Sequence, residues 1–256
     1  MSDLLVSLRA SVLHVRIARP ERHNALSRAT LAELREVFAG HAGDASLKAA
    51  VITGTGESSF AAGGDLRDLG TVRTREAAID MVHGANAALT AIRMFPVPVI
   101  AALNGRAIGG GAELAVSCDF RVAAQNASIG FVHGKLGLSS QWGGGTTLTH
   151  LLGAQKAMYA MATGTVYGAR AALELGLVDA VCETGESLES AVAAFLAPML
   201  AMQPQVLRAA KALAADQRDG VARERSETAE LARAVDNWLH PDHWAAADGI
   251  LKPRHE

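Results

Sequence analysis

The stretch Asn104-Gly105-Arg106-Ala107-Ile108-Gly109-Gly110-Gly111-Ala112-Glu113-Leu114 lies between an apolar run and a helical pattern. The run, Val97 to Leu103, is flanked by proline and by Asn104-Gly105 and reads as a strand. The triple glycine then opens a short helix through Glu113 to Cys118. At such a strand-to-helix junction the first N–H groups of the helix have no partner inside it, and the positive end of its dipole points outward. An anionic oxygen would sit well there. The phosphate-loop alternative lacks the lysine and hydroxyl that should follow the last glycine, and the dinucleotide fingerprint lacks its glycine spacing.

Upstream, Phe60-Ala-Ala-Gly-Gly-Asp65-Leu66 is a second small-residue run after an apolar strand, Ala49 to Thr53. By itself it also fits an ordinary βα turn. Before that strand, Val12 to Ile17 alternates with the period of a half-buried strand, and Ser27 can cap a helix whose Leu31, Leu34, Val37 and Phe38 share one stripe. A helical stretch is expected near Glu76 to Phe95. Downstream, Phe120 to Ala123 and Ser128 to Phe131 read as short strands. From Ala154 the pattern is helical apart from a strand at Leu177 to Val181. Repeated strand and helix units predict a mainly parallel sheet covered by helices.

The whole chain, 256 residues with 50% hydrophobic side chains, can bury a sizeable core. Its 24 basic and 26 acidic side chains form no block of either sign, which argues against nucleic acid as the main ligand. Cys118 and Cys182 lack metal or redox spacing and read as buried hydrophobes in a reducing compartment. No metal site is expected, His240 and His243 being the one loose histidine pair. With no signal-peptide core or membrane-length apolar run, the chain reads as soluble and cytoplasmic.

Taken in order, these segments resemble the enoyl-CoA hydratase/isomerase, or crotonase, superfamily. The match runs from Arg19-Pro-Glu-Arg-His-Asn24-Ala25-Leu26 through Val51 to Gly54, Phe60 to Leu66, Asn104 to Leu114 and Cys118-Asp-Phe-Arg121. It ends with Leu136-Gly-Leu138 and Gly143 to Thr146. The resemblance implies an α/β spiral of ββα units over residues 1–186, followed by a helical trimerisation region, 187–256. It implies a homotrimer or hexamer acting on an acyl-CoA thioester without a further cofactor. Gly64 and Gly110 correspond to the two peptide donors of an oxyanion hole. Ala25 and Ala62 fall near the adenine end of CoA, Asp65 and Leu66 continue the pocket loop, and Lys252 holds CoA phosphates, while Trp142 reads equally as a wall of the acyl pocket or as plain core.

Hydratases of that superfamily carry two glutamates. Glu113 fills the first position, and His133 stands at the second. Within the superfamily, Gly109 to Leu114, Phe131-Val132-His133 and Trp142-Gly-Gly144 resemble ethylmalonyl-CoA and methylmalonyl-CoA decarboxylases more specifically. That implies decarboxylation of a short malonyl-type thioester, with His133, or a water it orients, delivering a proton and Glu113 in a supporting or substrate-orienting role. The alternatives are an enoyl-CoA hydratase or isomerase in which His133 replaces one glutamate, and a non-catalytic acyl-CoA or RNA-binding protein on the same scaffold.

Overall fold

In the computed structural model, which describes residues 2–251, the chain opens with a hairpin, β1 (Leu4–Arg9) and β2 (Val12–Ile17). Ala10 and Ser11 both take positive φ at its two-residue turn, the backbone that matches strand twist. Then follow α1 (Arg28–His41), β3 (Ala49–Gly54), β4 (Ser59–Ala61), α2 (Leu66–Leu69) and α3 (Arg75–Arg93). The next units are β5 (Val99–Leu103), β6 (Arg106–Ile108), α4 (Gly110–Ser117), β7 (Phe120–Ala123), β8 (Ser128–Gly130), α5 (Gly144–Leu152) and α6 (Ala154–Thr163). The chain continues with β9 (Val166–Gly168), α7 (Ala169–Leu175), β10 (Ala180–Val181) and four helices, α8 (Leu188–Leu200), α9 (Pro204–Arg218), α10 (Arg223–Leu239) and α11 (Pro241–Leu251).

The strands form two sheets rather than the one expected. A six-stranded sheet has the order β1-β2-β3-β5-β7-β10, and a four-stranded sheet the order β4-β6-β8-β9. Only β1 with β2 and β8 with β9 pair antiparallel. After the β1–β2 hairpin, whose strands both join the large sheet, successive turns of the chain lay one strand in each sheet and return through a helix, which is the ββα spiral implied by the resemblance. Strands β4, β6 and β9 have three residues each, too few to show an alternating pattern. Strand β1 escaped the sequence reading for another reason: it is an edge strand with Leu5, Val6 and Leu8 exposed.

Ser27 caps α1 as expected, its Oγ accepting from the Thr30 N–H at 3.0 Å, and Leu31, Leu34 and Phe38 lie buried beneath it. Helix α8 covers the outer face of the large sheet, setting Val192 and Leu196 against Val51, Ile100 and Val122. Full burial of such a side chain contributes about 1.5–3 kcal/mol. Asp119 and Arg121, both within the matched Cys118 to Arg121 segment, hold the frame. The buried guanidinium of Arg121 donates to the carbonyls of Leu177 and Cys118 and pairs with Asp179, while Asp119 receives Lys211 and Arg218 from α9. No single helix among the described residues is long and apolar enough to cross a membrane. Helices α8 and α9 meet that test of length and composition only jointly, across a bend of 100°.

Candidate active site

The loop after β4 and the N-terminus of α4 lie side by side at one end of the small sheet. Leu26 N–H donates to the Gly63 carbonyl at 2.8 Å and Asp65 N–H to the Leu26 carbonyl at 2.9 Å, so the loop is clamped on both sides of Gly64. The Gly64 N–H is left without an acceptor among the described residues. So is the Gly110 N–H, at the first position of α4, where a helix has no acceptor to offer.

Each of the three glycines before Ala112 has its own physical cause. Gly109 takes φ 55° and ψ −119°, a backbone that side chains disfavour. A Cβ on Gly110 would stand 2.1 Å from Cζ3 of Trp142, and one on Gly111 would stand 2.0 Å from the Ala61 carbonyl oxygen. Gly64 is backed by the same indole, its notional Cβ lying 3.4 Å from two ring carbons. Trp142 is itself buried and fixed through its carbonyl by the Asn86 amide at 3.0 Å. One aromatic ring thus backs both donors.

A cavity of about 510 Å³ opens over these groups. Its wall includes Leu66, Leu69, Met81, Leu136, Leu138 and Trp142, and only Arg73 and His133 among its lining residues can carry charge. Ala62, Gly64, Leu66, Gly110, His133 and Trp142 all line it, bringing together most of the residues expected from the sequence. Ala25 sits beside that loop rather than in the cavity wall, its carbonyl receiving Arg19. Asp65 points away: its carboxylate pairs with Arg19 at 2.8 Å and caps the Arg67 N–H at 3.1 Å. Burial works to raise its pKa, but the Arg19 and main-chain hydrogen bonds outweigh that and leave it lowered. Lys252 lies outside the described residues.

Glu113 lies one turn into α4 and is wholly buried. One carboxylate oxygen accepts from the Ser140 hydroxyl at 2.9 Å, Trp142 N–H at 2.9 Å and Gly144 N–H at 2.8 Å. The other accepts from Gln141 N–H at 3.1 Å and faces His133 Nε2 at 2.9 Å. Burial pushes the Glu113 pKa upward, yet the His133 hydrogen bond and the N–H groups of Gln141 and Gly144 more than compensate, holding it below the ordinary carboxylate range. Glu113 is therefore an anion tied to the loop before α5, not a charge placed merely to complement the dipole of its own helix.

Sequence reasoning missed three contributors. Ser140 supports Glu113, and Asn24 and Asn104 both donate to the Ser59 carbonyl, fastening the strand that leads to Gly64. Asn24 and Asn104 stood inside the matched motifs; no pattern around Ser140 singled it out. His240 and His243 go to Gln205 and to stacking against Trp238 and Trp244, respectively.

Residues 7–239 match the family model described as enoyl-CoA hydratase/isomerase. The chain is 35% identical over 191 residues to a short-chain-enoyl-CoA hydratase from Clostridium acetobutylicum, covering 75% of this chain and 73% of that one. It is 38% identical over 192 residues to carnitinyl-CoA dehydratase from Escherichia coli K12, covering 75% and 72%. The crystal structure of an enoyl-CoA hydratase from Mycobacterium smegmatis superposes with a TM-score of 0.90 at 28% identity, covering 100% of this chain and 99% of that one.

These relatives add or remove water, and they overturn the expected decarboxylation of a malonyl-type thioester. The reason is visible at His133. That expectation put a substrate carboxylate beside the His133 ring, whose Nε2 already faces the buried Glu113 carboxylate at 2.9 Å. A second carboxylate there would meet a buried anion. The non-catalytic alternative also falls, because the matching family is one of enzymes.

Proposed function

We propose that this chain, which belongs to the enoyl-CoA hydratase/isomerase family, adds water across the α,β double bond of an enoyl-CoA thioester and catalyses the reverse dehydration. The observation that carries this reading is the convergence of two unspent main-chain donors, Gly64 and Gly110, with His133 on one apolar cavity. Addition of hydroxide at Cβ pushes negative charge onto the thioester oxygen. Fixed N–H donors stabilise that charge without reorganising, and each is worth about 3 kcal/mol of barrier. His133 supplies acid and base catalysis at the carbon skeleton, a role whose ordinary contribution is roughly 100- to 10,000-fold. Ala62 and Ala25 border the path for the CoA moiety, and the aliphatic wall from Leu66 to Leu138 takes the acyl chain.

Residues 187–256 form the proposed assembly region of a homotrimer or hexamer. Helix α10 supports this, since none of its residues is buried and Leu231, Val235, Trp238 and Leu239 stand exposed.

The test is product analysis of the wild-type protein with crotonyl-CoA, with methylmalonyl-CoA and ethylmalonyl-CoA in parallel. The expected result is conversion of crotonyl-CoA to 3-hydroxybutyryl-CoA. Unchanged crotonyl-CoA under conditions where the fold is intact would overturn the proposal.

A further inference from the structure

Resting on the hydratase reading, we infer that His133 and Glu113 form a dyad in which His133 Nδ1 is the one proton-transfer atom of the site and Glu113 is a positioning residue that touches neither water nor substrate. The inference starts from a count of donors. An ionised carboxylate offers about four lone-pair sites and cannot donate. Glu113 faces the Ser140 hydroxyl, three main-chain N–H groups and His133 Nε2, all within 3.1 Å. No capacity remains for an attacking water, and the side chain has no exposure through which one could arrive.

The same geometry fixes the imidazole. Because the Glu113 carboxylate can only accept, the 2.9 Å contact requires the proton on Nε2. In the neutral ring Nδ1 then carries the lone pair, and it takes no hydrogen bond among the described residues. His133 lines the cavity with Gly64 and Gly110, its own side chain 11% exposed, and with Nε2 held by Glu113 the one ring nitrogen left to meet a bound thioester is Nδ1. Glu113 sets the tautomer and orientation of the ring, as a buried carboxylate does for the base of a hydrolase triad.

One base is sufficient for the whole reaction. Nδ1 takes a proton from water as the water oxygen bonds to Cβ. The electrons of the double bond move to form the enolate, whose oxygen accepts from Gly64 and Gly110. The imidazolium then returns its proton to Cα as the thioester carbonyl re-forms. Water is added, the ring ends neutral, and no other reactant is consumed. During the intermediate the imidazolium lies against the Glu113 anion, which stabilises the charge as it develops.

The experiment is a long-range ¹H–¹⁵N correlation spectrum of the full-length wild-type protein near neutral pH, with His133 identified among the nine histidines by its loss in His133→Gln. The expected pattern is a protonated Nε2 with a bare Nδ1, and a shift of that tautomer balance in Glu113→Gln. A His133 ring protonated at Nδ1, alone or together with Nε2, overturns the dyad. Crotonyl-CoA hydration by the same wild-type sample separates the two claims. Hydration with the wrong tautomer sinks only the dyad, and the right tautomer without hydration sinks only the hydratase reading.

Discussion

Gly64 and Gly110 offer main-chain N–H groups to the cavity, whereas His133 and Glu113 offer side chains, and the two halves are held in different ways. The first half needs absence: no Cβ, no competing acceptor, and a flat indole pressed against both glycines. The second needs presence, namely five donors converging on one buried carboxylate. The main-chain half should therefore fail abruptly when volume is added, and the side-chain half gradually as donors are removed.

Gly110→Ala is expected to break the comparison most severely. Its Cβ would enter the buried Trp142 ring, 2.1 Å from Cζ3. The cost should reach about 3 kcal/mol, the upper part of the overpacking range. Displacement of the donor should cost about 100- to 1,000-fold in kcat. Thermal melts and steady-state kinetics on crotonyl-CoA read both. Gly64→Ala is the milder control, because its first contact is Leu69 Cδ1, the far end of a side chain that can turn away. The loss there should stay near 1 kcal/mol.

Glu113→Gln tests the side-chain half. Whichever oxygen becomes an NH₂ group, N–H donors face it, so roughly 2–3 kcal/mol should be lost at neutral pH. The acid limb carries the diagnostic sign. The folded-state pKa of Glu113 lies below its ordinary 4.5. Its stabilisation is thus full above that value and lost as pH falls through the lower, folded pKa. Wild type should lose more stability than the variant across that window in acid denaturation curves. Equal slopes would remove Glu113 as a stabilising anion.

Ser140→Ala should give the smallest effect of the side-chain half. It deletes one charge-assisted hydrogen bond to Glu113 and strands the Gly145 N–H that Ser140 Oγ accepts at 2.7 Å, for about 1.5–2 kcal/mol. A denaturant midpoint at unchanged slope measures it.

The same contrast explains what could be seen in the sequence. Glycines that are required by close approach or by a positive φ leave a local signature, and Gly109 to Gly111 stood out in the sequence. Ser27 and the stripe of α1, and the strand read over Val97 to Leu103 and found at Val99–Leu103, were equally legible, because capping and periodicity are local. The second sheet was not, since β4, β6 and β9 acquire their identity from pairing partners tens of residues away. Nor was the setting of Glu113. Its donors come from residues 140–144, and nothing in a linear reading brings that loop onto α4. His133 was found through its place in a motif, and the likeness of that motif to decarboxylases led to the decarboxylase expectation.

The central claim is that proton transfer belongs to His133 and that Glu113 acts only through it. A double-mutant cycle on crotonyl-CoA hydration, with His133→Ala, Glu113→Gln and the pair together, tests this most directly. Residues acting as a unit are strongly non-additive. The account predicts that the double variant turns over no more slowly than His133→Ala alone. If the two losses multiply, Glu113 acts on water or substrate independently, and the single-base site is wrong.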